Sequence, residues 1–487
     1  MHKRWYDTAM NYTITKHTTT QGLPVWLVDT PDATTIQTTI AVRAGYEYAG
    51  DARIYEVPRI VQHVLTQTME DDHIDASAHI YQDWLQHFVA YSLQAESAPQ
   101  FATKLSHIIR SLYQTGITRS TFQAAKKRTL AELAKEERDI DAALMSDNQY
   151  QMFGRPKLAQ RTQSATDISL RDAQRFYGMF YTLANSDIVI TANMHAPDWD
   201  ETVILQAIEK ACEGAAIGQR FSLYQLSRLK TITQQGRYGS IIVPRDSAKF
   251  LQNEDSSYTI GFHGFRLNSV QNPLMEISIR ILIECILVLF TAPKWHEDSF
   301  KDHPLYQAQC EAKYCRLFNM FVGETGQSYR FMIHYIVDDN NMPLFEEKLW
   351  QGLQKLANEG APQEVFKIAR QAVLWRINNE TKTAEQFHQW VTRQIIKRFD
   401  DKQPIVSSDD LIKACRQIHP QTVTNTAKAS LLKNAVFNTH ITIEDHHQAI
   451  AKTIYNATQP VLLDYNDLIR EGIAKEVRHD DAPDKNT

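Results

Sequence analysis

Several things are missing from this sequence, and each absence narrows what it can be. Cysteine is scarce. There are five in 487 residues, Cys212, Cys285, Cys310, Cys315 and Cys415. An odd, scattered set excludes a disulfide framework. No CxxC pair occurs, and Cys310 and Cys315 read as two thiols on one helix rather than a metal site. No basic block is present, and the formal net charge is -5, which argues against nucleic acid as a partner. The first twenty residues, MHKRWYDTAMNYTITKHTTT, hold no apolar core of signal-peptide length. The most apolar run, ILIECILVLF at 281–290, carries Glu284 and follows Arg280. It is too short and too charged for a membrane span and reads as a buried helix. A reducing, cytoplasmic setting is the expectation, unless a leader sequence is missing.

What is present is an internal repeat. Residues 99–130 align without gaps on residues 343–374, at an offset of 244 set by Pro99 and Pro343. Phe101/Phe345, Leu105/Leu349, Leu112/Leu356, Gly116/Gly360, Phe122/Phe366 and Ala125/Ala369 are identical. Upstream, Tyr91 pairs with Tyr335 inside the strand-like runs HFVAYSL and FMIHYIV. Each unit reads as an alternating strand, an amphipathic helix stopped at Gly116 or Gly360, and a second helix after Thr118 or Pro362. A chain of this length is expected to hold more than one core. The reading is therefore an α+β protein with two tandem homologous domains, each a mostly antiparallel sheet covered by helices. The boundaries are 1–213, a linker at 214–236, a second domain at 237–465 and a polar tail at 466–487. Near the start, GLPVWLVDT and TTIQTTIAVRAG alternate as a hairpin turning at Pro31-Asp32. Ile188-Val189-Ile190 forms a buried strand.

These pieces, in this order, resemble the inverted-motif zinc metallopeptidases, the insulinase, pitrilysin and mitochondrial-processing-peptidase family. Gln21-Gly22-Leu23-Pro24-Val25 matches the family's opening strand, and Val42-Arg43-Ala44-Gly45 matches a V-x-x-G strand end. Arg59-Ile60-Val61-Gln62-His63 stands at the H-x-x-E-H helix, and Asp75-Ala76 at the N-A strand, which in the family lies along the peptide. Thr129-Leu130-Ala131-Glu132-Leu133 matches the helix bearing a distal glutamate. The run from Phe176-Tyr177 through Tyr181 to Asn185 matches the closing F-Y-x-x-x-Y-x-x-x-N. The resemblance covers nearly all of the chain and implies the clamshell-half architecture of that family.

In an intact motif, two histidines four apart bind zinc from one helical face, and a distal glutamate completes three protein ligands. The glutamate between the histidines takes a proton from the zinc-bound water. Here Arg59 replaces the first histidine and Gln62 the base, while His63 and Glu132 remain. Arginine stays cationic and cannot coordinate zinc. Glutamine accepts no proton at neutral pH. Either loss stops the chemistry, so neither a catalytic residue nor a metal ligand is assigned. Arg59 either occupies the vacated metal site and pairs with Glu132, or points to solvent. Glu444-Asp445-His446-His447 offers metal-ligand types, but adjacent histidines diverge on a helix.

The resemblance also implies an Arg-Gly-Leu-x-Tyr stretch in the second domain. PLYQAQCEAKYCRLF at 304–318 stands there, with Lys313 near the arginine position as a weak peptide-binding candidate and Leu317 near the tyrosine. Tyr314 and Arg316 fall out of register, and a packing helix with a charged outer face is the alternative. The expected function is that of a catalytically inactive homologue. It would be a partner or scaffold subunit in a homo- or hetero-dimer, the latter with an active family peptidase, helping to enclose a peptide or unfolded segment, with no cofactor. Two alternatives stay open. One is an active zinc metalloendopeptidase that recruits His79 or His87. The other is a structural core subunit of a larger complex.

Overall fold

The computed structural model describes residues 12–49, 52–71, 88–137, 156–221, 237–243, 252–253, 256–267, 272–291, 300–318, 329–396, 405–432 and 436–443, with the single positions 139, 142 and 146. Five strands form the first sheet: β1 (Thr13–Thr18), β2 (Pro24–Asp29), β3 (Ile36–Val42), β4 (Val89–Ala95) and β5 (Ser186–Ala192). Their order is β1-β2-β5-β3-β4. The hairpin read from the sequence at Pro31-Asp32 does not form. β2 pairs with β1 on one side and runs parallel to β5 on the other, so β5 lies between β2 and β3. The reason is burial on both faces. All seven residues of β5 are buried, and a strand apolar on both sides gains most at the centre of a sheet.

The helices of this half are α1 (Val57–Asp71), α2 (Ala98–Tyr113), α3 (Arg119–Glu136), α4 (Leu158–Asp167), α5 (Leu170–Phe180) and α6 (Glu201–Cys212). Ser97 caps α2 by accepting from the Gln100 amide, and Phe101, Leu105, Ile108, Ile109 and Leu112 form its buried stripe. Thr118 and Thr121 close a capping box on α3, which buries only Phe122, Ala125, Thr129 and Leu133. Most of the remaining positions of α3 are charged, polar or alanine, which leaves its outer surface free to carry charge.

The second half repeats this plan with α7 (Pro273–Thr291), α8 (Pro304–Glu311), α9 (Met342–Asn358), α10 (Gln363–Glu380), α11 (Ala384–Ile396), α12 (Ser408–Gln417) and α13 (Pro420–Ala427). Its strands are β6 (Arg237–Val243), β7 (Gln252–Asn253), β8 (Ser256–Leu267), β9 (Ala312–Phe318), β10 (Tyr329–Asp338) and β11 (Val436–Ile443). The sheet order is β6-β11-β8-β10-β9, with β7 off the path. A parallel pair β6/β11 beside antiparallel β8 and β10 reproduces β2/β5 beside β3 and β4. The helices α9 and α10 begin 244 residues after α2 and α3, as the repeat requires.

Two local expectations change. Gly360 does end its helix in the left-handed region at φ +86°, but Gly116 is absent from the positive-φ glycines. Residues 304–318 do not form one packing helix. The helix stops at Glu311 and the chain continues as β9, paired with β10. Cys310 therefore ends a helix and Cys315 lies on a strand, so the two are not on one helix.

The two sheets do not stand apart. On the first sheet Val25, Leu27, Ile188 and Ile190 face its own helices, while Trp26, Val28 and Val189 join the core of the second half. From α11, His388 reaches this second face and bonds Thr39 and Thr191 through its two ring nitrogens, at 2.9 and 2.8 Å. Residues at the start of the expected linker pack on the first half. Leu183 and Ala184 donate to the carbonyls of Ala216 and Ile217, and Arg220 pairs with Asp187 at 2.9 Å. Among the described residues no helix is long and apolar enough to cross a membrane.

Candidate functional site

Position 59 lies in the first turns of α1, and Glu132 lies near the end of α3, which packs beside it. Because residues four apart share a helical face, Arg59 and His63 point the same way. Both meet Glu132. Arg59 Nε donates to Glu132 Oε2 at 3.0 Å, and Nη2 lies 2.8 Å from the same oxygen. His63 Nε2 stands 2.9 Å from that oxygen as well. Arg59 is thus turned inward, with a side chain only 13% exposed, and not toward solvent.

The pair belongs to a closed ring of charges. Arg59 Nη2 also donates to Glu136 Oε1 at 2.9 Å, and Arg161 Nη1 donates to Glu136 Oε2 at 3.2 Å. Arg161 Nε donates to Glu56 Oε1 at 2.6 Å, and Glu56 Oε2 lies 3.9 Å from Arg59 Nη1. Arg128 adds a bond to Glu132 Oε1 at 3.3 Å from the exposed side. Three guanidinium groups therefore meet three carboxylates across α1, α3 and α4. Charge-assisted bonds of this kind are the strong ones, and arginine's planar fork suits two carboxylates at once.

The protonation states follow from the surroundings. Burial pushes the His63 imidazole below its ordinary pKa, against the pull of Glu132. Burial would raise the Glu132 carboxyl, but His63 and Arg59 outweigh it and hold it low. At neutral pH the ring is neutral and the carboxylate ionised. A carboxylate only accepts, so His63 Nε2 carries the proton and donates it to Glu132. Gln62 is 2% exposed, and its Oε1 has no partner among the described residues.

This donor set does not fit a catalytic zinc ion. Such an ion needs three protein lone pairs converging with an open fourth position. The first position holds a cation, the His63 nitrogen presents a proton, and the Glu132 oxygen is already shared by Arg59 and His63. Chemically the arrangement joins helices, and the Gln62 amide itself cannot take a proton from water.

The second half carries a counterpart of the same cluster. On α7, Arg280 Nη2 donates to Glu276 Oε1 at 2.7 Å, and Nη1 donates to Glu380 Oε2 at 3.4 Å. One turn further along α7, Glu284 meets Arg376 of α10 at 2.5 Å. Glu380 and Arg376 stand 244 residues after Glu136 and Glu132, and Arg280 and Glu284 take the places of Arg59 and His63. The inner pair has its polarity reversed, with the acid on α7 and the base on α10.

Of the sequence-derived positions, the structure brings Arg59, His63 and Glu132 together and buries Gln62 beside them on α1. Asp75 and Ala76, like His79, His87 and Glu444-Asp445-His446-His447, lie outside the described residues. Lys313 sits at an irregularity of β9, between the Tyr314/Ile336 and Ala312/Val337 pairs. Arg316 and Leu317 are paired with His334 and Ile333 on β10. Sequence reasoning missed Glu56, Arg128, Glu136 and Arg161, and the whole second cluster. Glu56 and Glu136 sit one turn from motif residues and carried a signal in that spacing. Arg161 carried none.

No family model matches the chain, and no curated protein matches it by sequence. Solved structures share its fold. The peptidase M16 inactive domain from Pseudomonas fluorescens is 11% identical with a TM-score of 0.64, over 88% of this chain and 97% of that one. A chain of complex III2 from Candida albicans is 12% identical with a TM-score of 0.62, over 95% of this chain and 100% of that one. The periplasmic protease PqqL from Escherichia coli is 11% identical with a TM-score of 0.65, over 94% of this chain but 51% of that one. At such identities the likeness is one of fold, that of the M16-like peptidases.

Proposed function

We propose that the chain is a catalytically silent homologue of the M16-like peptidases, the group to which its motifs pointed. In this reading it is a partner or scaffold subunit that forms a dimer with an active zinc peptidase and helps enclose a peptide or unfolded segment. It needs no cofactor. The observation that carries the reading is Arg59 held between Glu132 and Glu136 where the family's motif would place a zinc ligand. Peptide binding in such a subunit rests on main-chain hydrogen bonds from a sheet edge, which require no metal. Asp75 and Ala76 are the positions proposed to lie along that peptide, with Lys313 as a weaker contact from the second half.

Two measurements test this. Metal analysis of the purified chain by inductively coupled plasma is expected to find no stoichiometric zinc, and hydrolysis of unstructured peptides is expected to stay at background. Stoichiometric zinc with turnover would replace the reading by that of an active metalloendopeptidase. Affinity capture from the native host is expected to bring down a homologue with an intact H-x-x-E-H motif. Capture of a large multi-subunit assembly instead would favour a structural core role, a second reading that the likeness to a complex III2 chain supports. Four of the five cysteines are free thiols, which suits a reducing compartment such as the cytoplasm, although PqqL is periplasmic. Fractionation decides between the two.

A further inference from the structure

The helix α4 sits against the ring of charges, and its own sequence supplies little to hold it there. Its 10 residues, LAQRTQSATD, include the apolar side chains Leu158, Ala159 and Ala165, and it buries only Leu158, Ser164 and Ala165. Leu158 and Ala165 join Leu133 and Leu130 of α3 in a small cluster separate from the main core of this half. By contrast α2 buries Phe101, Leu105, Ile108, Ile109 and Leu112 along one stripe. A helix as short as α4 does not persist alone in water. Burying one leucine and one alanine also falls short of the cost of ordering a segment of this length. α4 is therefore helical only while something else fastens it.

The fastening is polar and spread along the helix. At its C-terminal end, Lys126 of α3 donates to the carbonyls of Thr166 and Ile168 at 2.6 and 2.8 Å, meeting acceptors that a helix leaves open there. In its first turns, Arg161 donates to Glu56 at 2.6 Å and to Glu136 at 3.2 Å, and Thr162 donates to Glu137 at 2.6 Å. The Ser164 hydroxyl accepts from the Glu56 amide at 3.2 Å. The chain beyond α4 is anchored independently. Ile168 is 1% exposed within the main core, and Ser169 and Asp172 close a capping box that starts α5. α4 can therefore leave without dragging α5 with it. Its departure takes Arg161 out of the ring and leaves the buried Glu56 carboxylate without the guanidinium that bonds it.

We propose that α4 is a latch on the Arg59 site, undocking as a unit by local unfolding while the rest of the first half stays folded. Release opens the ring of charges to solvent on the side of Glu56. Arg59 keeps its bonds to Glu132 and Glu136 on the other side, so α1 and α3 remain joined. The assignment stands whether or not the chain partners an active peptidase.

Hydrogen exchange of the full chain at pH 7, read by mass spectrometry on peptides from α4, α2 and β5, tests this. After correction for intrinsic rates, α4 is expected to exchange at least about tenfold faster than α2 and β5. Lys126→Gln removes the charge clamped on the α4 carbonyls and lies outside the ring. Arg161→Gln breaks the ring itself. Each is expected to speed α4 by about a further tenfold, the size of one charge-assisted hydrogen bond, and to leave α2 and β5 within about twofold. Unchanged α2 and β5 peptides show in the same run that the variant is folded. Exchange of α4 in step with α2 in the parent would overturn the proposal. So would variants that speed all three elements alike, or variants that leave α4 as slow as in the parent.

Discussion

At the scale of the residue, one side chain governs the site. Arg59 bridges two helices by bonding Glu132 and Glu136, and it closes the ring with Glu56 and Arg161. Removing it leaves three carboxylates facing fewer cations in a partly buried place. Arg59→Ala is expected to lower stability by about 1–3 kcal/mol, read from urea unfolding midpoints. Arg128→Ala, on the exposed side of the same carboxylate, should stay within about 0.5 kcal/mol. Equal effects from the two would mean that the inner bonds contribute no more than a surface pair. The same geometry allows the proposed relation to a zinc site to be tested. If only side chains differ from an intact motif, Arg59→His with Gln62→Glu should bind zinc, because His63 Nε2 already stands 2.9 Å from a Glu132 carboxylate oxygen. Thermal unfolding with zinc at a hundredfold excess over its dissociation constant should then rise by about 2.7 kcal/mol. No shift would mean that Glu132 does not stand where the proposed relation to the H-x-x-E-H peptidases puts a ligand. The sequence reveals this pairing because a four-residue spacing fixes which side chains share a helix face. It does not reveal Arg161, since a partner 105 residues away leaves no periodic trace.

At the scale of the element, the repeat was legible and the strand order was not. The matched apolar positions of α2 and α9, and of α3 and α10, come from amphipathic packing, which the 3.6-residue period records. Strand neighbours leave a weaker mark. β2 and β3 read as a hairpin because a turn separates them, yet β5 enters between them, with Ser186 set against Val42, 144 residues further along. Alternation reports that a strand is half-buried, and burial on both faces removes the signal. The duplicated clusters teach something further. α1 is joined to α3, and α7 to α10, by ion pairs at matching places, but the inner pair is reversed in sign. Selection for a metal would not reverse it, whereas selection for holding two helices together permits either polarity. Burial pushes the Glu284 carboxyl above its usual value, and Arg376 pulls it back. Replacing Arg376 alone by leucine is therefore expected to destabilise by about 1–3 kcal/mol. The double change Glu284→Leu with Arg376→Leu should recover most of that loss, since a buried ion pair and a packed apolar pair are close in free energy. A double variant as unstable as the single one would show that the pair does more than join helices.

At the scale of the whole molecule, the two halves share one seam, and a histidine lies in it. α11 belongs to the second half by sequence, yet His388 inserts between Thr39 of β3 and Thr191 of β5. Both ring nitrogens are bonded, and full burial drives its pKa down to about 3. Burial lowers His303 to about 4, with Lys355 adding to the effect, and it lowers His63 as well. The sign of the consequence follows. An unfolded histidine takes up its proton near pH 6.5. The folded His388 does so only near 3, so the unfolded state binds more protons throughout that interval. Stability contributed by the neutral ring is complete above about pH 6.5 and is lost as the pH falls toward 3, at up to about 1.4 kcal/mol per unit for one histidine. The depressed Glu132 carboxyl adds loss in the same direction at the acid end. The chain is therefore expected to show a steep acid limb, with urea midpoints falling from pH 6.5 downward. His388→Gln keeps hydrogen-bonding capacity in the seam but cannot titrate. It should be less stable than the parent at pH 7.5, and the slope between pH 6 and 4 should be visibly shallower. A parallel slope in parent and variant would show that the seam histidine is not what produces the acid limb.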